Sequence, residues 1–364
     1  MAESLFIVGA TGRVGKELVS QIFDKGDNNI ALHQNPTSIV GVASSKSFLY
    51  DSGGLSESDI RSFSAKRKLG TKYNKLTDLL EPLKGSKDSV SIVDVTAEAE
   101  RMLELHKKVI FETKHKIVTA NKIPLAISDY VTFERLVSEI SRYGYRCSVM
   151  AGAEAVDKIR DLRDIGDNPT EITGVFSGTL GYIATELEKG RKFSEIVKEA
   201  MENGYTEPNP VIDLSGSDVA SKILILARTA GAHIGLSDIK LSPFIPDEYL
   251  NAVNVGGFLK GLSNADIKLA SMMENAQRNR STLRYIARYV NHGRPRISVN
   301  LEEVSLDNPL GQLKGAVNKI IIKTKTYGDR YYSVEAPGAG ADITAQNIRR
   351  DLLYQLDNRT MSNS

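Results

Sequence analysis

The first apolar run, Ser4-Leu5-Phe6-Ile7-Val8, is too short for a helix and stops at Gly9, so it predicts a buried strand. After a glycine-rich segment, Val14, Leu18 and Ile22 recur every four residues, the spacing of one apolar helix face. Short apolar runs return at Ser38–Ala43, Ser91–Val95 and Lys116–Thr119, with helix-like stretches between them. Strands alternating with helices predict an α/β fold, a doubly wound parallel sheet of Rossmann type.

The texture changes near residue 150. Ile172–Phe176 and Arg296–Leu301 read as strands, and Glu195–Asn203, Asp218–Ala230 and the polar Asn264–Arg280 as helices. Ile320–Thr326 and Tyr331–Ala336 read as a hairpin around Tyr327-Gly328-Asp329. This predicts a second domain of α+β type over 151–336, after a first over 1–150. Residues 337–364 then carry a helix (Ala345–Leu356) returning to the first domain and a polar tail, Asp357–Ser364, expected to fray.

Composition narrows the functional classes. With 364 residues, 41% hydrophobic and 25% charged, the chain can build two cores without disulfides. A formal net charge of +2 gives no reason to expect nucleic acid or a membrane surface as partner. No apolar run approaches the roughly 20 residues of a membrane helix. The single cysteine, Cys147, fits a reducing cytosol, and an N-terminus that enters a strand at once leaves no room for a targeting peptide. A cytoplasmic protein is expected. His33, His106, His115, His233 and His292 stand at no metal-ligand spacing, so no transition metal is expected.

Gly9-Ala10-Thr11-Gly12-Arg13-Val14-Gly15 lies between the first strand and the first helix. Glycines there permit a tight turn and let amides at a helix N-terminus approach a pyrophosphate. Gly9, Thr11, Gly12, Arg13 and Val14 are therefore candidate dinucleotide contacts. An NAD site commonly places an acid at the end of the second strand. Here the strand ends Val42-Ala43-Ser44-Ser45-Lys46, with no acid before Asp51. Ser44 and Lys46 suit the 2′-phosphate of NADP, which is favoured over NAD; the plainer reading of Lys46 is a solvated loop lysine.

The most informative stretch runs from Gly204-Tyr205-Thr206-Glu207-Pro208-Asn209-Pro210 through Asp213 to Ser215-Gly216-Ser217-Asp218-Val219-Ala220-Ser221-Lys222. Two prolines stiffen the loop, and Ser215 or Ser217 can cap the helix that follows. Asp218 and Lys222 stand four apart, on one helix face, before the apolar Ile223-Leu224-Ile225-Leu226-Ala227. Acids and a lysine where a stiff loop enters a buried helix suit proton transfer beside a charged substrate. The bland alternative is a solvated i,i+4 pair. A second lysine, Lys122, follows the strand ending at Thr119, at the edge where open α/β sheets bind ligands.

Together these segments resemble homoserine dehydrogenase, in order and over nearly the whole chain. Val118-Thr119-Ala120-Asn121-Lys122 resembles the family's motif after a carboxyl-end strand. Phe176-Ser177-Gly178-Thr179-Leu180-Gly181-Tyr182-Ile183 resembles its substrate-domain strand-turn-helix, residues 204–222 its signature loop, and Gly338-Ala339-Gly340-Ala341-Asp342-Ile343-Thr344-Ala345 its closing turn. The resemblance implies interconversion of L-homoserine and L-aspartate 4-semialdehyde with NADP or NAD, in threonine and methionine biosynthesis. It implies catalytic roles for Lys222, Lys122 and Asp218. Glu207, Asp213, Tyr205, Thr179 and Gly178 would hold the substrate. Thr96, Thr119, Gly338 and Thr344 would join the glycine turn around the cofactor. It also implies a homodimer built by the second domain.

One region departs from the family. Arg146 stands where the family has an acid, Met150 where it has glycine and Glu154 where it has proline, so the monovalent-cation loop of some members is not expected here. Rival readings fare worse. Aspartate-semialdehyde dehydrogenase needs a cysteine nucleophile with a histidine base, and Cys147 has no evident histidine. Short-chain reductases need a Tyr-x-x-x-Lys pair, which is absent. A non-catalytic nucleotide sensor has no use for the 204–222 constellation.

Overall fold

A computed structural model describes residues 3–29, 31–32, 36–66, 70–250 and 255–361, with side chains to Gln355. His33 and residues 362–364 lie outside the described residues. The chain divides into two compact units, Met1–Gly152 with Ala339–Ser364, and Ala153–Gly338.

The first unit holds seven strands: β1 (Glu3–Val8), β2 (Thr37–Ala43), β3 (Ser47–Tyr50), β4 (Thr71–Lys72), β5 (Val90–Asp94), β6 (Lys116–Thr119) and β7 (Tyr143–Gly144), in the order β4-β3-β2-β1-β5-β6-β7. The run β2-β1-β5-β6-β7 is parallel, and β3 and β4 add an antiparallel edge. All five residues of β5 are buried, as befits a parallel strand covered on both faces. β1 lies between β2 and β5, so the connections leave it in opposite directions. The switch point of this Rossmann-type sheet is therefore the turn after Val8.

Helix Arg13–Asp24 puts Leu18, Val19 and Ile22 against Leu5, Ile7 and Val42. Ala345, Ile348 and Leu352 of the C-terminal helix join the same cluster. That helix runs from Ala341 to Met361, so it begins earlier than the sequence pattern suggests and stays wound through residues expected to fray. Arg349 Nη2 ties it to Asp27 Oδ1 at 2.6 Å, and Gln21 Nε2 donates to the Asp342 carbonyl at 3.0 Å.

The second unit is α+β. Its sheet comprises β8 (Pro169–Val175), β9 (Ile239–Leu241), β10 (Ser281–Asn291), β11 (Pro295–Ser305), β12 (Val317–Thr324) and β13 (Tyr332–Pro337), in the order β13-β12-β8-β10-β11-β9. All pairings are antiparallel except that of β11 with β9. β12 and β13 form the expected hairpin. Helices Phe193–Glu202, Ser217–Thr229 and Ser263–Arg278 stand close to their expected places. No helix among the described residues is long and apolar enough to cross a membrane.

Candidate active site

The glycine turn in the first unit is shaped by three different demands. Gly9 has φ +94°, and a Cβ there would lie 3.1 Å from both the Val95 carbonyl oxygen and Thr96 Cγ2. Its amide and that of Ala10 donate to the Ala43 carbonyl at 3.0 and 3.1 Å, binding the turn to the end of β2. Gly12 is the N-cap of helix Arg13–Asp24, and no side chain caps that end. Gly15 lets the helix lie on the strand: a Cβ there would be 2.4 Å from the Gly9 carbonyl oxygen. The result is an uncapped helix N-terminus over a turn without side-chain bulk, which fits a dinucleotide pyrophosphate. Thr11 flanks the turn, Arg13 is exposed at its mouth, and Val14 packs partly into the core.

Other candidates border the same edge. Ser44 closes the β2–β3 turn, its Oγ accepting the Ser47 amide at 3.2 Å, and Lys46 stands exposed at the tip. Thr96 and Thr119 follow β5 and end β6, and both hydroxyls donate to the buried Asp94 carboxylate, at 2.7 and 3.2 Å. Lys122 sits just past β6, at the start of helix Ile123–Ile127. Thr344 is buried in the first turns of the C-terminal helix, and its carbonyl accepts Cys147 Sγ–H at 3.5 Å.

In the second unit, helix Ser217–Thr229 presents Asp218 and Lys222 on one face, with Lys222 Nζ 2.9 Å from Asp218 Oδ2. The same ammonium donates to the Phe176 carbonyl at 2.8 Å, just past β8. Two contacts from different directions hold a flexible side chain in place. The expected serine cap is not what starts this helix. Gly216 is the N-cap, at φ +75°, and a Cβ there would strike the Tyr285 hydroxyl at 1.8 Å, so a side chain is excluded twice over.

The preceding loop folds back on itself. Asp213 Oδ2 accepts the Glu207 amide at 2.9 Å, and the Thr179 hydroxyl donates to the Tyr205 carbonyl at 2.6 Å. Burial pushes the Asp213 carboxyl above its ordinary range, opposed by the Glu207 N–H. Tyr205 is half exposed and packs edge-on against Tyr182, ring centres 5.1 Å apart. Gly178 opens helix Gly178–Glu188 close to Ala316. Gly338, after β13, presses on Asn318, leaving no room for a Cβ. The structure thus gathers Lys222, Asp218, Asp213, Glu207, Thr179 and Tyr205 into one unit, and the glycine turn, Ser44, Lys46, Thr96, Thr119, Lys122 and Thr344 into the other.

The profile of the homoserine dehydrogenase family matches residues 156–353, more than half of the chain. A homoserine dehydrogenase from Schizosaccharomyces pombe is 33% identical over 95% of this chain and 93% of its own length. The chain belongs to the homoserine dehydrogenase family. A chloroplastic bifunctional aspartokinase/homoserine dehydrogenase from Zea mays is 31% identical over 94% of this chain, which spans only 37% of that relative's length. Among solved structures, a Candida auris protein of unknown function superposes with a TM-score of 0.87 at 26% identity, covering 98% of both chains. A hyperthermophilic archaeal homoserine dehydrogenase in complex with NADPH gives 0.73 at 20% identity, again covering 98% of each.

The crossover segment is held by the C-terminal helix. Arg146 is buried and its guanidinium Nε meets Asp351 Oδ1 at 3.1 Å. Its charge is neutralised by the C-terminal helix. Met150 and Ala151 have φ of +52° and +50°, so residues with side chains take a left-handed path that suits glycine. The Ala151 carbonyl accepts Asn347 Nδ2 at 3.0 Å. Sequence reasoning also passed over Asp94, the acid on which Thr96 and Thr119 converge. A lone acid ending an otherwise apolar strand was the available signal.

Proposed function

We propose that this chain interconverts L-homoserine and L-aspartate 4-semialdehyde, with NADP favoured over NAD. The observation that carries the reading is the second-unit constellation: a lysine fixed by Asp218 and the Phe176 carbonyl, next in sequence to a loop that folds Asp213 onto Glu207. Such acids suit a substrate ammonium, and such a lysine suits a proton moving on or off an oxygen. In the direction of aldehyde reduction the Lys222 ammonium gives its proton to the oxygen as hydride reaches the carbon, and in the reverse direction the neutral amine takes the hydroxyl proton. Asp218 orients that lysine, and Lys122 assists. Glu207 and Asp213 fix the ammonium end, with Tyr205, Thr179 and Gly178 completing the pocket.

The bound dinucleotide supplies the hydride acceptor in one direction and the donor in the other. Gly9, Thr11, Gly12, Arg13 and Val14 would hold its pyrophosphate, with Thr96, Thr119, Gly338 and Thr344 around it. The archaeal relative solved with NADPH, and the pair Ser44 and Lys46, support the preference for NADP. The division of labour follows the two units: the first binds the dinucleotide, and the second binds substrate and builds a homodimer. A cytoplasmic location belongs to the same reading.

The test compares L-homoserine with 4-hydroxybutanoate, which has the alcohol but no ammonium. Reduced dinucleotide should appear with the first and be nearly absent with the second. Equal rates would remove the ammonium site, and no rate with either would remove the activity. Light scattering at assay concentration decides the dimer, and cell fractionation the location.

A further inference from the structure

Asp94, His106 and Tyr143 are all fully buried in the first unit. A carboxylate in such a place costs several kcal/mol unless other groups replace its lost water. Asp94 Oδ1 accepts the Thr96 amide at 2.9 Å and the Thr96 hydroxyl at 2.7 Å. Its Oδ2 accepts the Thr119 hydroxyl at 3.2 Å and lies 3.3 Å from His106 Nε2. On the far side of the ring, His106 Nδ1 lies 2.8 Å from the Tyr143 hydroxyl. The approach of Nε2 to the carboxylate is a close polar contact without hydrogen-bond alignment, whereas Nδ1 and the Tyr143 hydroxyl share a hydrogen bond. Burial pushes the Tyr143 phenol well above its ordinary range, which keeps it a donor.

Asp94 in turn sets two turns at the carboxyl edge of the sheet. The turn after β5 is pinned through Thr96, which together with Val95 crowds Gly9. The turn after β6 is pinned because the Asp94 carbonyl accepts the Ala120 amide at 3.0 Å and Thr119 Oγ1 accepts the Asn121 amide at 3.0 Å. Asn121 joins the two turns, donating from Nδ2 to the Glu98 carbonyl at 2.8 Å, and its Oδ1 accepts the Ile123 amide at 3.0 Å. Lys122 stands between Asn121 and Ile123 in the chain.

We propose that His106, backed by Tyr143, is a positioning residue: it locks the Asp94 carboxylate so that the dinucleotide turn and the Lys122 turn keep one geometry. His106 touches no ligand; it acts through Asp94. The inference rests on the proposed function insofar as it gives Lys122 and the glycine turn their roles.

Three single variants, one double variant and three readouts test it. His106→Leu removes both ring contacts at similar volume, His106→Gln keeps a polar group facing Asp94, and Tyr143→Phe removes a single oxygen. NADP and NAD affinities are measured by calorimetry, with turnover of L-homoserine and the melting temperature alongside. Removing the imidazole that faces a buried carboxylate predicts about tenfold weaker binding of the preferred dinucleotide in His106→Leu, with lower kcat. His106→Gln should recover most of both, and Tyr143→Phe should shift both in the same direction by less. Adding Tyr143→Phe to His106→Leu should change little, because both act through one ring. Dinucleotide affinity and kcat of His106→Leu within about twofold of wild type overturn the proposal. So does a His106→Gln that melts like wild type yet recovers neither. If His106→Leu does not fold, Tyr143→Phe decides, and unchanged affinity overturns the proposal. A wild-type chain that binds dinucleotide but does not oxidise homoserine removes the proposed function and leaves the affinity test of His106 intact.

Discussion

Replacing Lys222 with alanine separates chemistry from stability. The ammonium reaches two oxygens, Asp218 Oδ2 at 2.9 Å and the Phe176 carbonyl at 2.8 Å. Asp218 is 35% exposed, so water can take the place of the lost cation, and the pair is an i,i+4 helix pair worth only about 0.3–0.5 kcal/mol. The fold should lose on the order of 1 kcal/mol once the carbonyl contact is included. A positioned acid/base group contributes about 10²–10⁴-fold, or about 3–5 kcal/mol of barrier. Turnover should therefore collapse by that factor while the dinucleotide affinity holds and the melting temperature falls by a few degrees. Steady-state absorbance of the reduced dinucleotide measures the first, calorimetry the second. Added methylammonium should restore part of the Lys222→Ala activity, which a purely structural loss would not allow. Turnover within about threefold of wild type, under 1 kcal/mol of barrier, would refute the acid/base role.

Asp213→Asn tests the raised carboxyl. Burial lifts the folded value above the unfolded one, so the charged form costs stability near neutral pH and the cost vanishes below the ordinary carboxylate range. The variant should melt higher than wild type near neutral pH and alike in acid, while its KM for homoserine rises; a lower melting temperature at neutral pH contradicts the sign. Lys46→Glu should move preference from NADP toward NAD, since an acid at the exposed β2–β3 turn bonds a ribose hydroxyl and repels a phosphate. An unchanged ratio of kcat/KM for the two cofactors means that Lys46 does not reach the 2′ position. Activity in tetramethylammonium buffer should not respond to added Na⁺ or K⁺, because the Ala151 carbonyl accepts Asn347 Nδ2 and the Asp351 carboxylate is engaged by Arg146. Saturable activation by either ion contradicts this.

The Rossmann-type sheet was legible because parallel strands covered on both faces are continuous apolar runs, as in Val90–Asp94. β10 was not legible, although most of it is buried, because Arg284 and Arg288 interrupt its apolar pattern. Arg284 is accommodated by Glu188 and by the Gly311 and Leu313 carbonyls, and Arg288 by Glu171 and Glu302. Those partners come from elsewhere in the chain, and no local window contains them. The contact of Asp218 with Lys222 is implied by helix spacing, whereas the Phe176 carbonyl is 46 residues away and only folding brings it to Nζ. The same limit hid the neutralisation of Arg146 by Asp351, 205 residues on.

The central claim is hydride transfer from the terminal carbon of homoserine, and it can be followed atom by atom. L-homoserine carrying two deuterons on that carbon is incubated with the protein and unlabelled NADP, and both products are analysed by mass spectrometry. The mechanism predicts one deuteron on the nicotinamide ring for each aldehyde formed, with the second retained on the aldehyde carbon. Reduced dinucleotide free of deuterium, or no reduced dinucleotide with either NADP or NAD, would contradict it.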